Sequence, residues 1–263
     1  MSGGAATLRI AHRGASTRAP ENTLAAFAEA ARIGVDAIEL DVHLSADGVP
    51  VVIHDDTVDR TTDGRGPVAG LTFSALRALD AGAWFARRFR GERLPGLDET
   101  LDWASGRVGL NVELKAAAAP RLEALTPAVA RSIRRSRFNG FLVLSSFEAE
   151  ALRGARAALP KAALGLLASR TARQMVPLHR ALRLHAFHPH VRIAGRRNID
   201  AAHDLGLEVY VWPVNDPTLL RRLVERGADG LMSDDPALFL RLRPTRVGSA
   251  RGKPARSPLR PRR

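Results

Sequence analysis

The chain has 263 residues, of which 45% are hydrophobic, and it carries a formal net charge of +13 and no cysteine. The absence of cysteine excludes a disulfide framework and a thiolate metal site, while the apolar content is sufficient for a packed core. No apolar leader and no run of about 18 apolar residues occurs, so we predict a cytoplasmic protein without a membrane span.

Much of the positive charge lies at the C-terminus. Residues 241–263 hold nine Lys and Arg and no Asp or Glu, and their Pro, Gly and Ser content is typical of disorder. We therefore expect one domain over residues 1–243 and a basic, disordered tail over residues 244–263. Such a tail could contact an anionic surface, but the simpler interpretation is a tail without a partner, and no nucleic acid is required.

The first predicted elements form one strand–helix unit. An apolar run over residues 8–11 ends in His12 and Arg13, and a glycine then allows the chain to turn. A helix is predicted over residues 23–33, with Gly34 as its C-terminal stop. This unit places charged side chains at the C-terminal end of a strand.

The second predicted strand covers residues 37–44 and alternates strictly. Its apolar face consists of Ile38, Leu40, Val42 and Leu44, and its polar face of Glu39, Asp41 and His43. An Asp-Gly turn and an apolar run over residues 49–53 then predict a β-hairpin, which brings His54 back beside the polar face.

Residues 45–95 are predicted to form a small insertion, or cap, after this second strand. The segment is irregular apart from the hairpin and a short helix near residues 73–79, and a segment of this length is usually functional. We expect it to hold a separate small core made of three aromatic side chains, Trp84, Phe85 and Phe89.

Six further strands alternate with helices in the rest of the chain. They are predicted at residues 108–115, 141–144, 163–167, 186–188, 208–212 and 230–232. Eight strands alternating with helices, in a chain close to the roughly 250 residues typical of the fold, predict an α/β protein with a (β/α)8 TIM barrel.

Three acidic residues are predicted to meet at the mouth of this barrel: Glu39, Asp41 and Glu113. Unpaired carboxylates at close range raise one another's pKa, and burial adds to this cost, whereas a divalent cation removes it. Oxygen ligands favour Mg²⁺ or Ca²⁺ over zinc. The alternative is a structural ion-pair network with Arg13 and Lys115.

Two histidines fall beside the same predicted cluster. His12 and His54 could act as general acid and general base, and Arg13 and Lys115 add positive charge near them. Together with a metal, this set suits cleavage of a phosphodiester. Taken singly, each residue is more often structural, and we interpret the other six histidines in that way.

Several motifs, dense over residues 10–115 and sparse beyond, resemble those of the glycerophosphodiester phosphodiesterases. They are His12-Arg13-Gly14, Pro20-Glu21-Asn22-Thr23, Glu39-Leu40-Asp41-Val42, His54-Asp55, Arg60-Thr61-Thr62, Glu113-Leu114-Lys115 and Trp212 with Val214-Asn215. The resemblance implies a barrel with an insertion after strand two. It also implies hydrolysis of substrates such as glycerophosphocholine or glycerophosphoethanolamine to sn-glycerol 3-phosphate and an alcohol.

The resemblance also implies roles for particular side chains. The implied ligands of one divalent cation, Mg²⁺ or Ca²⁺, are Glu39, Asp41 and Glu113. The implied acid–base pair is His12 and His54. The implied substrate contacts are Arg13, Lys115 and Trp212. Pro213 departs from the small polar residue that we would expect at its position.

Two other functions stay open at this point. A lysophospholipase D or a phospholipase C-type lipid phosphodiesterase would use a similar barrel on lipid substrates. A non-catalytic module that binds phosphate or nucleic acid through the basic tail is the second alternative. The sequence makes no prediction of the oligomeric state.

Overall fold

Eight parallel strands close into a barrel in the computed structural model, which describes residues 6–115 and 119–241. In chain order the strands are β1 (Leu8–His12), β2 (Ala37–Leu44), β3 (Pro50–Val52), β4 (Gly109–Leu114), β5 (Leu142–Ser146), β6 (Ala163–Ala168), β7 (Ala186–Pro189), β8 (Glu208–Val211) and β9 (Gly230–Ser233). β1 pairs with both β2 and β9, which closes the ring, and only β3 is antiparallel. The predicted TIM barrel is confirmed; the predicted tail lies outside the described residues.

The helices are α1 (Leu24–Ile33), α2 (Phe73–Ala78), α3 (Leu97–Ala104), α4 (Ala119–Arg135), α5 (Ala149–Ala158), α6 (Met175–Leu182), α7 (Arg196–His203) and α8 (Pro217–Glu225). α1 shows how they are bounded: the side chain of Thr23 accepts a hydrogen bond from the backbone N–H of Ala26, and Gly34 ends the helix at a φ of 88°. Within the described ranges, no helix has the length and apolar character needed to cross a bilayer.

The strands bury their two faces against different partners. The outward side chains of β2, such as Ile38 and Leu40, pack in the large core between barrel and helices. A second, smaller cluster fills the lower part of the barrel interior with Ile10, Ala37, Val143, Ala163, Ala186, Tyr210 and Met232. Above this apolar cluster, the inward side chains at the C-terminal ends of β1, β2 and β4 are polar, namely His12, Glu39, Asp41 and Glu113.

β5 is longer than its apolar pattern predicts. The prediction ended at residue 144, but the strand continues through Ser145 and Ser146. Ser146 Oγ donates a hydrogen bond to the backbone oxygen of Leu114 at 2.8 Å. A serine whose hydroxyl is satisfied inside the sheet can be buried, which the polarity of its side chain alone does not indicate.

The hairpin after β2 forms as predicted and returns the chain to the barrel mouth. The register pairs Val42 with Val52, and the backbone N–H of the next residue, Ile53, donates to the backbone oxygen of Asp41 at 3.0 Å. The next residue along is His54, whose backbone oxygen lies 3.0 Å from the Nε2 atom of His43.

The predicted composition of the small core in residues 45–95 is wrong. That core is built from aliphatic side chains, namely Val51, Ile53, Val58, Val68, Leu76, Ala81 and Leu94. Trp84, Phe85 and Phe89 instead pack edge to face on one another, and Trp84 is 41% exposed. The aliphatic residues lie on β3, on α2 and on turns that fold over β3, whereas the aromatic residues lie on one outer turn.

Candidate active site

The barrel mouth gathers the three carboxylates that the sequence predicts to meet. In the sheet register His12 lies beside Glu39, and Asp41 lies beside Glu113 on the next strand. One oxygen atom from each of the three carboxylates lies within 4.8 Å of the other two, and all three residues are buried. The alternation of β2 and β4 therefore turns these acidic side chains into one cluster.

This carboxylate cluster contains buried oxygen atoms without hydrogen bonds, and its negative charges repel one another. Glu39 Oε1 and Asp41 Oδ1 are buried and have no hydrogen-bond partner within the described part of the chain. Burial, with the charge of Asp41, raises the pKa of Glu39 to about 8 and that of Glu113 to about 7. A divalent cation would satisfy the free oxygens and remove the repulsion, and an all-oxygen donor set suits a hard cation.

Two positively charged side chains, Lys115 and Arg13, lie beside the carboxylate cluster. Lys115 Nζ lies 2.9 Å from Glu113 Oε1 and 3.3 Å from Asp41 Oδ1. Arg13 Nε lies 3.4 Å from Asp41 Oδ2, and its backbone N–H donates to Glu39 Oε2 at 3.0 Å. The ion pairs of the alternative interpretation are thus present, but they leave the two carboxylate oxygens without hydrogen bonds.

His12 is oriented from behind by a carboxylate that the sequence did not identify. Its Nδ1 atom lies 2.6 Å from Asp234 Oδ1, and its Nε2 atom lies 3.8 Å from Glu39 Oε2. Asn215 donates to the other oxygen of Asp234. Burial works to lower the pKa of His12, but the charges of Glu39 and Asp234 outweigh burial and raise the pKa.

His54 is held in the same way from the hairpin side. Its Nδ1 atom lies 2.6 Å from Asp55 Oδ1, and Arg60 Nε donates to the other oxygen of Asp55 at 2.7 Å. Burial lowers the pKa of His54. The charge of Asp41 opposes this effect, and the positive charges of Arg13 and Lys115 reinforce it. Both imidazoles therefore approach the carboxylate cluster with a carboxylate on Nδ1.

Trp212 forms a wall beside His12. The two rings stack with centroids 6.4 Å apart, and Phe147 and His190 each contact the indole edge to face at 5.5 and 5.1 Å. The indole N–H donates to the backbone oxygen of His188 at 2.9 Å. Trp212 is thus fixed next to an imidazole of the site.

The sequence and fold of this chain match those of known proteins over nearly the whole barrel. A model of the glycerophosphoryl diester phosphodiesterase family matches residues 12–238. The chain belongs to this family. A glycerophosphodiester phosphodiesterase of Caldanaerobacter subterraneus is 37% identical over 241 residues, which cover 90% of this chain and 97% of the relative. The predicted enzyme class, a glycerophosphodiester phosphodiesterase, is confirmed.

Solved structures of other phosphodiesterases have the same architecture. An Oleispira antarctica phosphodiesterase superposes with a TM-score of 0.83 at 34% identity, covering 88% of this chain and 94% of that one. A glycerophosphodiester phosphodiesterase from Agrobacterium tumefaciens superposes with a TM-score of 0.79, also at 34% identity, covering 89% and 99%.

In this phosphodiesterase two residues without a predicted role, Glu21 and Asn22, brace the site. Glu21 accepts hydrogen bonds from Arg13 Nη1 at 2.9 Å and from Arg60 Nη1 at 2.7 Å, which ties the loop after β1 to the insertion. Asn22 Nδ2 donates to Asp41 Oδ2 at 2.8 Å. The motif Pro20-Glu21-Asn22-Thr23 was noted, but no role was predicted for its side chains. Its position just after the C-terminal end of a barrel strand, where active sites of this fold lie, could have indicated one.

Proposed function

We propose that this phosphodiesterase hydrolyses small glycerophosphodiesters, such as glycerophosphocholine and glycerophosphoethanolamine, to sn-glycerol 3-phosphate and an alcohol. The observation that carries the proposal is the buried carboxylate cluster with His12 and His54 beside it, each held by its own carboxylate. The solved Oleispira antarctica phosphodiesterase, whose structure is described as a complex with the product sn-glycerol-3-phosphate, supports this choice of product.

Glu39, Asp41 and Glu113 would hold one divalent cation, Mg²⁺ or Ca²⁺. Two buried oxygens of this set, Glu39 Oε1 and Asp41 Oδ1, have no hydrogen bond in the described chain, which supports the assignment because an unsatisfied buried carboxylate oxygen is costly. When bound, the ion supplies positive charge that stabilises the phosphoryl group as negative charge builds on its oxygens.

The charged side chains around the cluster bind the phosphate. Arg13 and Lys115 present fixed positive charge beside the three carboxylates, and Glu21 orients the guanidinium of Arg13. In this arrangement the side chains of Arg13 and Lys115 bind the non-bridging oxygens of the diester and hold the scissile bond between the imidazoles. Trp212 lines one side of the bound substrate.

The two imidazoles move protons. Asp234 and Asp55 each accept the Nδ1–H of one histidine, which leaves Nε2 as the reactive nitrogen of His12 and of His54. One Nε2 removes a proton from the attacking hydroxyl, which belongs to water or to the glycerol moiety; in the second case the first product is a cyclic glycerol phosphate, and water then opens it, with the two histidines in exchanged roles, to give sn-glycerol 3-phosphate. The other donates a proton to the oxygen of the leaving alcohol, so that the diester is cleaved without a charged alkoxide.

The products released from two substrates test the proposal. The full chain is incubated with glycerophosphocholine and with lysophosphatidylcholine, and sn-glycerol 3-phosphate and choline are both measured. We expect both products from glycerophosphocholine, at a turnover at least about tenfold above choline release from the lysolipid, because each discriminating contact changes the rate by about this factor. Choline release from the lysolipid alone would assign a lysophospholipase D, and no release from either substrate would contradict the proposal.

A further inference from the structure

One outer turn of the insertion exposes aromatic and cationic side chains together. This aromatic–arginine patch consists of Trp84, Phe85, Arg87, Arg88, Phe89 and Arg90. Trp84 is one of three large apolar side chains that are exposed in the described part of the chain. Its ring meets that of Phe85 edge to face at 5.6 Å, and Phe85 meets Phe89 at the same distance.

The patch is carried on a closed, braced loop. Asp80 accepts backbone hydrogen bonds from Gly82 at 2.8 Å and from Gly91 at 2.9 Å, so one carboxylate holds both ends of the loop. A Cβ atom at Gly82 would lie 1.8 Å from the backbone oxygen of Phe89, so only glycine allows this close approach. The patch is therefore presented in a fixed shape and needs little ordering to bind.

The patch lies at the same end of the barrel as the active site. Arg88 Nη2 donates to the backbone oxygen of Arg18 at 3.3 Å. The residue before Arg18, Thr17, donates its backbone N–H to the backbone oxygen of Asp234 at 3.1 Å, and Asp234 holds His12. The patch thus contacts the loop after β1, at the C-terminal end of the barrel.

The arginines of the patch form no ion pair within the described part of the chain. Across residues 6–115 and 119–241, no carboxylate oxygen lies within 4.0 Å of the guanidinium nitrogens of Arg87, Arg88 or Arg90. Arg88 lies over the ring of Phe89, 4.7 Å from its centroid. The arginines of the active site, in contrast, are all paired with carboxylates.

An exposed tryptophan, backed by two half-buried phenylalanines and beside arginines without ion pairs in the described chain, matches the chemistry of a bilayer interface. Aromatic rings favour the level of the lipid headgroups, and arginines bind headgroup phosphates and anionic lipids. A protein partner would have to bring a carboxylate to each of the three arginines, whereas an anionic bilayer presents phosphate oxygens across its whole surface. We propose that the aromatic–arginine patch docks the enzyme on the surface of an anionic phospholipid bilayer, with Trp84 at the level of the headgroups. This inference does not depend on the proposed function.

Vesicle binding by matched charge variants tests the docking surface. The full chain is sedimented with vesicles of phosphatidylglycerol mixed with phosphatidylcholine, and with phosphatidylcholine alone. The patch variant is Arg87→Gln/Arg88→Gln/Arg90→Gln. The control is Arg221→Gln/Arg222→Gln/Arg226→Gln, on α8 and the residue that follows it; these arginines are also exposed and without a carboxylate within 4.0 Å in the described chain. Both variants lose the same charge and keep the same basic tail.

We expect the wild-type chain to bind the anionic vesicles and not the neutral ones. The patch variant should lose roughly tenfold or more in apparent affinity, because each arginine near an anionic surface contributes about a factor of five, whereas the control should change by less than about threefold. Equal loss in both variants, or no binding of the wild-type chain to anionic vesicles, would overturn the proposal.

Fluorescence gives a second, local measurement. Binding to anionic vesicles should shift the tryptophan emission to the blue, and Trp84→Phe should abolish the shift while Trp103 and Trp212 remain. A shift of equal size in the Trp84→Phe variant would contradict the assigned depth of Trp84. Hydrolysis of glycerophosphocholine in free solution should be unchanged in the patch variants, so failure of that reaction in all proteins bears on the proposed function alone.

Discussion

The Nδ1 atom of His12 lies 2.6 Å from Oδ1 of Asp234, although 222 positions separate the two residues in the chain. The first and last strands of the barrel are neighbours, so the loops at their C-terminal ends meet. Asp234 is held in turn by Asn215, whose side-chain oxygen accepts the backbone N–H of Asp234 at 3.0 Å. The imidazole is therefore oriented by a carboxylate that is itself fixed.

This contact predicts that Asp234→Asn reduces turnover while the fold is kept. An amide at this position can favour the wrong tautomer of His12 and no longer stabilises its protonated form, so we expect kcat for glycerophosphocholine to fall by roughly 10²-fold or more. The control is Asp235→Asn, which removes the ion pair with Arg18, while the amide oxygen can still accept the backbone N–H of Ala237. A kcat within about threefold of wild type in Asp234→Asn would show that this contact does not orient a catalytic group.

His54→Ala should also lower kcat, by roughly 10² to 10⁴-fold, because the variant loses one of the two proton-transfer groups. The side chain is half-buried and its main contact is with Asp55, so circular dichroism and the melting temperature should change little. Turnover close to wild type would remove His54 from the mechanism and would leave only one imidazole for proton transfer.

A close contact inside the barrel predicts a stability effect that has no link to catalysis. A Cβ atom at Gly165 would lie 2.5 Å from Nε2 of His188, which is buried on the next strand. We expect Gly165→Ala to destabilise the fold by about 1–3 kcal/mol, measured by urea unfolding. Gly195→Ala is the control, because its Cβ atom meets nothing within 4 Å and its cost should stay below about 1 kcal/mol.

The partner of that contact is tested by a double variant. If the ring of His188 is what the new methyl group meets, Gly165→Ala combined with His188→Ala should cost less than the sum of the two single changes. Additive free energies of unfolding would show that the methyl group at position 165 is accommodated elsewhere.

His188 also predicts a pH dependence of stability. Burial lowers its pKa to about 3, and neither ring nitrogen has a hydrogen-bond partner within the described part of the chain. Above about pH 6.5 the imidazole is neutral in both the folded and the unfolded chain and contributes nothing to the pH dependence. Below that pH the unfolded chain binds a proton that the folded chain does not, so stability falls by up to about 1.4 kcal/mol per pH unit.

The measurement is the free energy of unfolding in urea at several pH values between about 7 and 5. His188→Gln lacks this titration, so its free energy of unfolding should fall less steeply as the pH decreases. The absolute stability of the variant does not enter the comparison. If the free energy of unfolding changed equally with pH in the variant and in the wild type, the lowered pKa of His188 would be contradicted.

Local pattern predicted much of the barrel and the carboxylate cluster. The alternation over residues 37–44 gives the bounds of β2 without error, and it places Glu39 and Asp41 on one face because side chains alternate along a strand. Glu113 follows from the same parity on β4, and the parallel register then brings it beside Asp41.

The errors arise where long-range contacts decide the outcome. No local signal connects Asp234 with His12, because their contact depends on the closure of the barrel. The assignment of Trp84 to a buried core assumed that aromatic side chains are internal, but the aliphatic residues of the insertion already fill that core. Ser145 and Ser146 were left out of β5 because both are polar; the sequence does not show that the hydroxyl of Ser146 finds a partner on the neighbouring strand.

The metal dependence of glycerophosphocholine hydrolysis tests the central claim most directly. The full chain is treated with EDTA, dialysed and assayed before and after addition of Mg²⁺ or Ca²⁺, in parallel with Glu113→Gln. We predict that chelation abolishes release of sn-glycerol 3-phosphate and that addition of Mg²⁺ or Ca²⁺ restores it. Glu113→Gln should not regain activity at the same metal concentration, because one of the three buried carboxylate ligands is missing. Full activity of the chelated wild-type enzyme would contradict the assignment of the carboxylate cluster as a metal site.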